Sequence, residues 1–356
     1  MSYNFLPHLA YIPYIKKVMI GKTGVLIVNL GTPDSPSVPD VRKYLREFLM
    51  DGRVIDIAAI PRWLLVNLII APFRSPKSAK VYKELWTEKG SPLKIYGEAN
   101  EKQLQKSLGD EYVVKLAMRY QSPSIENGLK AFQEMGLKNI IVIPFFPQYA
   151  SASTGSVYEE VMRIVTKWQI IPEITFKNNF YHYPKFINAF ANNGRKHLEN
   201  DEYDHVVFSY HGLPARQILK GDCTGKTCQL GSCCDTVHAL NQHCYRAQCF
   251  ETTRLLVKEL GLKEGTYTTC FQSRLGRDPW VQPYTDDIVN ELAAKGIKRV
   301  LAFSPAFVAD CLETTIEVAE EYREIFEEKG GEHWKLVESL NDSEAWIDLL
   351  VELVKE

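Results

Sequence analysis

The chain has 356 residues, of which 45% are hydrophobic and 24% charged, with a formal net charge of −2 at pH 7. This balance excludes a general nucleic-acid binder, and no apolar run reaches the roughly 18 residues needed to span a bilayer. The length is enough for two domains with their own cores. Residues 1–17 lack the basic start and long apolar core of a signal peptide, so we expect a cytoplasmic protein.

Apolar, β-branched runs alternate with helical patterns along the whole chain. Strands are predicted at 24–30, 112–117, 139–145, 173–177, 205–210, 266–271 and 299–303. Helices are predicted at 38–50, 76–88, 124–136, 155–168, 249–260, 284–295 and 311–328. This alternation predicts an α/β protein whose parallel sheets carry helices on both faces.

The two halves of the chain echo each other. Asn-Leu-Gly-Thr-Pro closes the strand 24–30, His-Gly-Leu-Pro follows the strand 206–210, and each half then runs strand, helix, strand, helix. We therefore predict two similar α/β domains with a cleft between them; two unrelated α/β halves are the alternative. Residues 181–184 interrupt the pattern, which favours domains at 1–185 and 186–356. The last helix could pack on the first domain.

Residues 54–73 are unusually apolar. Pro61 and Arg62 are expected to interrupt this segment, so it should not form one spanning helix. The segment could belong to the core. Alternatively, it could form a hydrophobic lip that touches a membrane surface or an apolar substrate.

The segment 206–214 contains the strongest catalytic candidate. A short β-branched run ends at His211, and Gly212 and Pro214 then turn the chain. This pattern predicts a buried parallel strand that delivers an imidazole to its carboxyl end, where open α/β sheets bind ligands. Histidine exchanges protons near neutral pH. The alternative is a strand-end histidine that is simply bonded to a nearby backbone carbonyl.

An acidic row follows the strand 299–303. Glu313, Glu317 and Glu321 recur every four residues and so share one helix face, with Asp310 near the start. Like charges at this spacing repel each other. The row could therefore hold cations or pass protons, and a solvated acidic face is the alternative.

Other predicted strand ends carry arginine, aromatic and hydroxyl side chains. They include Arg119, Tyr120, Tyr149 and Trp280. This mixture suits a flat, apolar ligand with peripheral carboxylates, because rings stack on such a ligand and guanidinium groups pair with its acids.

Six segments together resemble the ferrochelatase family, which inserts iron into porphyrins. They are VLIVNLGTP (25–33), RYQSP (119–123), FPQYASASTGS (146–156), VVFSYHGLP (206–214), FQSRLGRDPW (271–280) and ADCLET (309–314). The resemblance spans nearly the whole chain. It implies two Rossmann-like domains with the porphyrin held in the cleft between them. The last three segments are similar to the Gram-negative bacterial branch, which uses protoporphyrin IX.

The resemblance implies roles for the candidate residues. His211 and Glu313 match the catalytic histidine and glutamate, one taking pyrrole protons and the other holding the Fe²⁺ substrate, in either assignment. Glu317 and Glu321 match an acidic metal path, to which we add Asp310. The substrate-binding residues are expected to be Leu30, Tyr82, Arg119, Tyr120, Tyr149 and Trp280. The segment 54–73 falls near the family's hydrophobic lip, which implies peripheral membrane contact.

Six of the eight cysteines lie between Cys223 and Cys249. Such clustering in an intracellular protein favours a metal over disulfides. The insert 221–249 resembles the internal [2Fe–2S] site of certain bacterial ferrochelatases, which implies four thiolate ligands. The candidate ligands are Cys223, Cys228, Cys233, Cys234 and Cys244, although neighbouring cysteines make an awkward pair. Zinc and free thiols are the alternatives, but the two-residue spacing of zinc knuckles is absent.

Three other functions compete with this interpretation. A ferrochelatase that uses coproporphyrin is the nearest. A chelatase for cobalt or a sirohydrochlorin-type substrate would be shorter and richer in active-site histidines, whereas this chain has Cys311 where a second histidine would stand. An iron–sulfur sensor or haem-binding protein without catalysis is disfavoured by the intact pair His211 and Glu313.

Overall fold

The computed structural model describes residues 21–276 and 278–356. The N-terminal segment 1–17 and Arg277 of the 271–280 motif therefore lie outside the described residues. The strands are β1 (Thr23–Gly31), β2 (Tyr112–Tyr120), β3 (Asn139–Pro144), β4 (Glu173–Phe176), β5 (His205–His211), β6 (Tyr267–Gln272), β7 (Arg299–Phe303) and β8 (His333–Leu336).

The α-helices lie between these strands and after the last of them. They are α1 (Val38–Met50), α2 (Ala59–Leu64), α3 (Ala71–Leu85), α4 (Pro92–Leu108), α5 (Ile125–Met135), α6 (Ser156–Val165), α7 (Pro184–Asn200), α8 (Ala215–Lys220), α9 (Tyr245–Leu260), α10 (Thr285–Ala294), α11 (Tyr322–Glu328) and α12 (Glu344–Lys355). Three π-helical stretches join them, at Leu65–Ile70, Ser151–Gly155 and Glu313–Glu321.

The strands form two four-stranded parallel sheets with the same topology. The order is β2-β1-β3-β4 in the first sheet and β6-β5-β7-β8 in the second. The inner strands β1 and β5 are buried along almost their whole length. Strands covered on both faces read as continuous apolar runs, which explains why the sequence revealed them. The predicted α/β fold with two similar parallel-sheet domains is confirmed.

Some elements were not predicted. β8 has four residues and its sequence, HWKL, lacks a β-branched run. No bounds were predicted for the helices α2, α4, α7 and α8, and the expected last helix is α12. In α7 the pattern is weakened by Gly194, where an added Cβ would lie 2.3 Å from the Phe303 ring. The glycine therefore allows this helix to approach the second sheet closely.

The prediction that Pro61 interrupts the segment 54–73 was wrong. α2, the π-helical stretch and α3 form one continuous helix, because the residues at their junctions keep helical dihedral angles. Pro61 lies in the first turn, where the N–H that it lacks would have no intrahelical partner. Within the described residues, no helix combines the length and the apolar character needed to cross a membrane.

The last helix contacts elements of both halves. Trp346 of α12 is fully buried, with its ring 5.2 Å from that of Phe145 and 5.5 Å from that of Phe180. One hydrophobic cluster includes these side chains together with Phe208 and Phe303 of the second sheet. The domain boundary at 185/186 stays a prediction.

Candidate active site

His211 is the last residue of β5, and its ring is half-buried at the carboxyl end of the second sheet. Its Nδ1 lies 2.6 Å from the carbonyl oxygen of Gly212. Because a carbonyl oxygen only accepts, Nδ1 carries the proton and the neutral imidazole keeps its lone pair on Nε2. The carbonyl-bonded histidine and the proton acceptor are therefore compatible, since they use different ring nitrogens.

The backbone around His211 is fixed from two sides. The Tyr245 hydroxyl donates to the His211 carbonyl oxygen at 2.8 Å. The Gly212 N–H donates to the Gln272 carbonyl at 2.9 Å. Trp280 covers the turn so closely that a Cβ added at Gly212 would lie 3.1 Å from the indole ring. Trp280 thus neighbours His211, as a shared site requires.

Gln272 connects His211 to the acidic row. His211 and Gln272 are register partners in the parallel pair β5–β6. The buried Gln272 amide donates to the Glu313 carbonyl at 3.3 Å and to the Glu317 carboxylate at 3.1 Å. Ser273 adds two further bonds to Glu317, from its N–H at 2.8 Å and its hydroxyl at 2.6 Å. The end of β6 therefore connects the strand that carries His211 to the backbone of Glu313 and to the carboxylate of Glu317.

The acidic row lies on a wider helix than expected. The sequence predicted one α-helix over 311–328, but Glu313–Glu321 is π-helical and only Tyr322–Glu328 is α-helical. π-Helical segments occur frequently at functional sites. Burial raises the pKa of Glu321, and the charge of Glu317 raises it further. Glu317 and Glu321 are therefore close enough to repel each other, and their row remains continuous.

Asp310 is tied into the backbone of a neighbouring loop. Its carboxylate accepts from the Asn341 amide at 2.7 Å, the Ser339 N–H at 3.3 Å and the Thr314 hydroxyl at 3.3 Å. These bonds fix the turn that precedes the π-helix. The structure thus assigns Asp310 a supporting position beside the acidic row.

The wall opposite Glu313 comes from the first half of the chain. Leu30 and Tyr82 share a hydrophobic cluster with Leu312 and Ile316, which flank Glu313. Burial raises the pKa of Tyr82, and the nearby Glu313 carboxylate raises it further. The predicted residues Leu30, Tyr82 and Glu313 are therefore brought together across the two halves.

Arg119 and Tyr120 belong to a closed polar network. The Arg119 guanidinium donates to Asp51 at 2.8 Å and to Ser156, and the fully buried Tyr120 hydroxyl donates to Asp51 at 2.9 Å. Burial raises the Asp51 pKa, but bonds from Ser156 and the Arg53 N–H, with the Arg119 charge, outweigh it and lower that pKa. In this structure the polar atoms of these two predicted substrate contacts are bonded to Asp51 and Ser156.

Tyr149 faces the cysteine insert. Its N–H donates to the Gln248 side-chain oxygen at 2.7 Å, and its ring lies 6.5 Å from that of His243. The loop after β3 therefore docks on the start of α9.

Several residues around the site were not assigned roles from the sequence. Gln272 and Ser273 lie inside a recognised motif, and Ser273 has a φ of 65°, a strained value for a residue other than glycine. Asp51 immediately follows a predicted helix, and Tyr245 follows a cysteine. None of these positions has a sequence signal that separates a site residue from a buried polar one.

The cysteine insert brings four thiols close together. The Cys233 and Cys234 sulfurs are 3.9 Å apart, and a hydrogen bond with Cys244 raises the pKa of the Cys234 thiol. That bond lowers the pKa of Cys244, and Cys228 interacts with Cys233. Cys223 is exposed. Over the described ranges, no three His, Cys, Asp or Glu side chains are arranged as a ready-made metal site. The donor set thus suits a thiophilic group, but the site is not preformed.

A polar surface groove of about 760 Å³ lies away from these residues, between α7, β8 and the loop before α12. None of the predicted site residues lines it. Its two histidines are paired with carboxylates, His197 with Glu338 at 2.8 Å and His333 with Asp201 at 3.4 Å. The groove is therefore separate from the predicted site residues.

Comparison with known proteins agrees with this geometry. A family model described as Ferrochelatase matches residues 22–356. A protein named Ferrochelatase from Legionella pneumophila (strain Paris) is 45% identical over 335 residues, covering 94% of this chain and 99% of the relative. Another from Coxiella burnetii (strain Dugway 5J108-111) is 43% identical over 335 residues, covering 94% of each.

Among solved structures, the sirohydrochlorin chelatase SirB from Bacillus subtilis subspecies spizizenii, in complex with cobalt, matches over 94% of each chain. The TM-score is 0.52 and the sequence identity 14%, a likeness that shows the fold alone. The family model and the two relatives together cover nearly all of the sequence. The chain belongs to the ferrochelatase family.

Proposed function

We propose that this chain inserts ferrous iron into protoporphyrin IX to give protohaem, with His211 and Glu313 as catalytic residues. The support is this: Gln272 pairs in register with His211 and donates to the Glu313 carbonyl, and Leu30 and Tyr82 belong to the cluster that contains Leu312 and Ile316 on either side of Glu313. This arrangement provides a proton acceptor and a hard anionic ligand on one wall and an apolar surface on the other.

The chemistry follows from the charges. A free-base porphyrin loses two pyrrole protons as Fe²⁺ enters, so the site needs a base and a place for the metal. His211 offers the Nε2 lone pair, because Nδ1 is bound to the Gly212 carbonyl. A positioned general base contributes roughly 10²–10⁴-fold. Glu313 would hold the incoming Fe²⁺, and a site of one imidazole and one carboxylate is weak enough to release it.

The acidic row would deliver Fe²⁺ or remove protons. Glu317 is fixed by Gln272 and Ser273, while Glu321 has a raised pKa. The fixed Glu317 carboxylate, followed by a Glu321 carboxylate that protonates more readily, suits the transfer of Fe²⁺ or protons along the row. Asp310 supports the turn that begins this row.

An insertion assay tests the proposal. Purified protein is given Zn²⁺ or, under anaerobic conditions, Fe²⁺, with protoporphyrin IX and coproporphyrin III as competing substrates. We expect metalloporphyrin formation with a higher kcat/KM for protoporphyrin. A preference for coproporphyrin III would show that the proposed substrate is wrong but that the proposed reaction is right. The absence of metal insertion into either porphyrin would reject the enzymatic function.

We also propose that the helix from α2 to α3 makes peripheral contact with a membrane. Its exposed apolar residues include Ile60 at 75% and Phe73 at 79% exposure. The others on this segment are Ile57, Trp63, Leu64, Leu68 and Ile69. A contiguous apolar segment exposed to solvent is typical of an interaction surface. Such a surface would place the site near a lipid-soluble porphyrin.

Vesicle co-sedimentation tests this contact. Replacing Ile60, Leu68 and Phe73 with serine should reduce binding to phospholipid vesicles while the rate with detergent-dispersed porphyrin stays near normal. The matched control replaces Ile170 and Ile171, which are 83% and 56% exposed but lie in the loop between α6 and β4. Equal losses in both variants would contradict a specific lip.

We propose that Cys228, Cys233, Cys234 and Cys244 hold a [2Fe–2S] cluster. The support is the mutual proximity of these thiols, since such clusters take four thiolates. We assign the cluster no step in metal insertion. Purified protein should absorb in the visible range and release labile sulfide; Cys234→Ser should lose both, whereas Cys223→Ser should retain them. A colourless protein that binds zinc would favour the zinc alternative.

A further inference from the structure

The exposed apolar helix that runs from α2 to α3 ends in a row of cations. Phe73 is 79% exposed, and Lys80 follows it by seven residues, a spacing that places both side chains on the same face of α3. Lys80 is exposed, as are Arg74, Lys77 and Lys83 of the same helix. The surface is therefore apolar towards the start of this helix and basic towards its end.

The charge of this segment differs from that of the chain as a whole. Residues 57–83 contain five Lys and Arg and no Asp or Glu, whereas the whole chain has 42 Lys and Arg against 44 Asp and Glu. Arg62 donates to two backbone carbonyls, and the four cations of α3 form no ion pair with any described side chain. Asp56, the acid that precedes the segment, is itself paired with Arg216 and Lys220. The positive charge of α3 is therefore available to a partner.

This combination fits an anionic phospholipid surface. Apolar side chains enter the boundary between headgroups and acyl chains, while Lys and Arg beside them attract anionic headgroups. We propose that the helix from α2 to α3 binds anionic phospholipids, with the α3 cations on the phosphate groups and the apolar residues among the acyl chains. The inference rests on the proposed membrane contact and adds the class of lipid that this contact selects. A zwitterionic phospholipid offers the same acyl chains without the net negative charge.

Two of the four α3 cations lie near the proposed active site. The Arg74 charge opposes the rise that burial causes in the pKa of Tyr82. The Lys77 charge likewise opposes the rise that burial causes in the pKa of Glu321. Replacing either residue would disturb the site as well as the lipid surface, so the test uses the two lysines nearer the end of α3.

Vesicle binding of a variant that carries Lys80→Gln and Lys83→Gln tests the charge. Each lysine near an anionic surface contributes about 5-fold in affinity, so binding to vesicles of phosphatidylcholine with phosphatidylglycerol should fall about 20- to 30-fold. Binding to phosphatidylcholine alone should stay at the level of the parent protein. The matched control is Lys102→Gln with Lys106→Gln, which removes the same charge from two exposed lysines of α4. Lys80→Arg with Lys83→Arg keeps the charge and should retain binding.

Ionic strength gives a second readout on the unmodified protein. The Debye length falls from about 10 Å at about 0.1 M salt to about 3 Å at about 1 M, so the preference for the mixed vesicles should largely disappear at high salt. Equal binding to both kinds of vesicle at low salt would overturn the proposal but keep the membrane contact. The absence of binding to either kind would reject both.

Insertion kinetics with detergent-dispersed porphyrin separate lipid binding from substrate binding. The variant with glutamine at positions 80 and 83 should keep the kcat/KM of the parent protein. A lower kcat/KM with unchanged vesicle binding would show that these lysines bind the porphyrin carboxylates, and equal losses of vesicle binding in the α4 control would show an effect of net charge alone. Either result would overturn the proposal. The vesicle assays need no turnover, so a protein that inserts no metal would reject the enzymatic function while vesicle binding still decides the lipid preference.

Discussion

The two sheets have the same strand order but use the carboxyl ends of their strands differently. In the first half, Asp51, Arg119, Tyr120 and Ser156 bind one another in a closed network. In the second half, His211 keeps the Nε2 lone pair, and Glu313 faces a wall supplied by the first half. Under the proposed function, the satisfied polar groups make the first strand end structural, whereas the available lone pair of His211 makes the second reactive.

The largest effect expected is on the reactive side. His211→Ala removes the proposed base, so kcat for metal insertion should fall by roughly 10²–10⁴-fold. Porphyrin affinity, measured by fluorescence quenching, should change little because the apolar wall remains. His197→Ala, which removes a histidine paired with Glu338 far from the site, is the control. Near-normal turnover without His211 would place the base elsewhere.

The corresponding change in the polar network of the first half is Asp51→Ala. The Asp51 and Arg119 side chains are only 6% and 15% exposed, so the variant leaves a buried guanidinium without its anion. Breaking such a pair costs about 3–5 kcal/mol, which urea denaturation would measure. The control is Asp34→Ala, whose partner Lys43 is exposed. A large loss of turnover with unchanged stability would show that this network is also catalytic.

Sequence patterns located these two strand ends but did not distinguish them. The continuous apolar runs of β1 and β5 are compatible only with a strand that is buried on both faces. A histidine at the end of such a strand can be recognised from the sequence. The partners of Arg119 are not, because Asp51 and Ser156 come from separate elements that only folding brings together. The same reason hid Gln272, whose position depends on its register with His211.

The start of one helix and the type of another could not be predicted from the sequence, for a different reason. Pro61 interrupts a helix only when it lies in the interior, and sequence alone did not locate the first turn. The row from Glu313 to Glu321 has a four-residue spacing that suits an α-helix, yet the backbone there is π-helical. The local pattern predicts which side chains share a face, while tertiary contacts select the helix type.

Equivalent glycines offer a finer comparison of the two halves. Gly31 ends β1 with a φ of 120°, and an added Cβ would lie 2.1 Å from the Tyr120 carbonyl oxygen. Gly31→Ala should therefore destabilise the fold by about 2–4 kcal/mol. Gly212 follows β5, where a Cβ would lie 2.7 Å from the Gln272 carbonyl oxygen, at a φ outside the left-handed region.

Gly212→Ala should lose less stability, about 1–2 kcal/mol, but more activity, because the carbonyl of this residue orients His211. Urea denaturation and insertion kinetics on both variants measure the two effects. The comparison predicts a crossed result, with the larger stability loss at Gly31 and the larger loss of kcat, corrected for folded fraction, at Gly212. Parallel losses in both variants would remove the distinction.

The smallest effect concerns the contact between the halves. Asp56, below the exposed apolar helix, pairs with Arg216 at 2.7 Å and with Lys220, both on the helix that follows the His211 turn. Burial raises the pKa of Asp56, but the hydrogen bonds and charges of Lys220 and Arg216 outweigh it and lower that pKa to about 2. The folded state therefore binds the proton of Asp56 less tightly than the unfolded chain.

This difference sets the sign of the pH dependence. The contribution of Asp56 is complete above the ordinary carboxyl pKa of 3.8 and disappears as the pH falls through about 2. Because solvent screens the pair, Asp56→Asn should cost about 1–2 kcal/mol at pH 7. Urea denaturation should show the gap between the variant and the parent protein closing between pH 5 and 2. A gap independent of pH would mean that packing, not charge, joins the first half to the helix after His211.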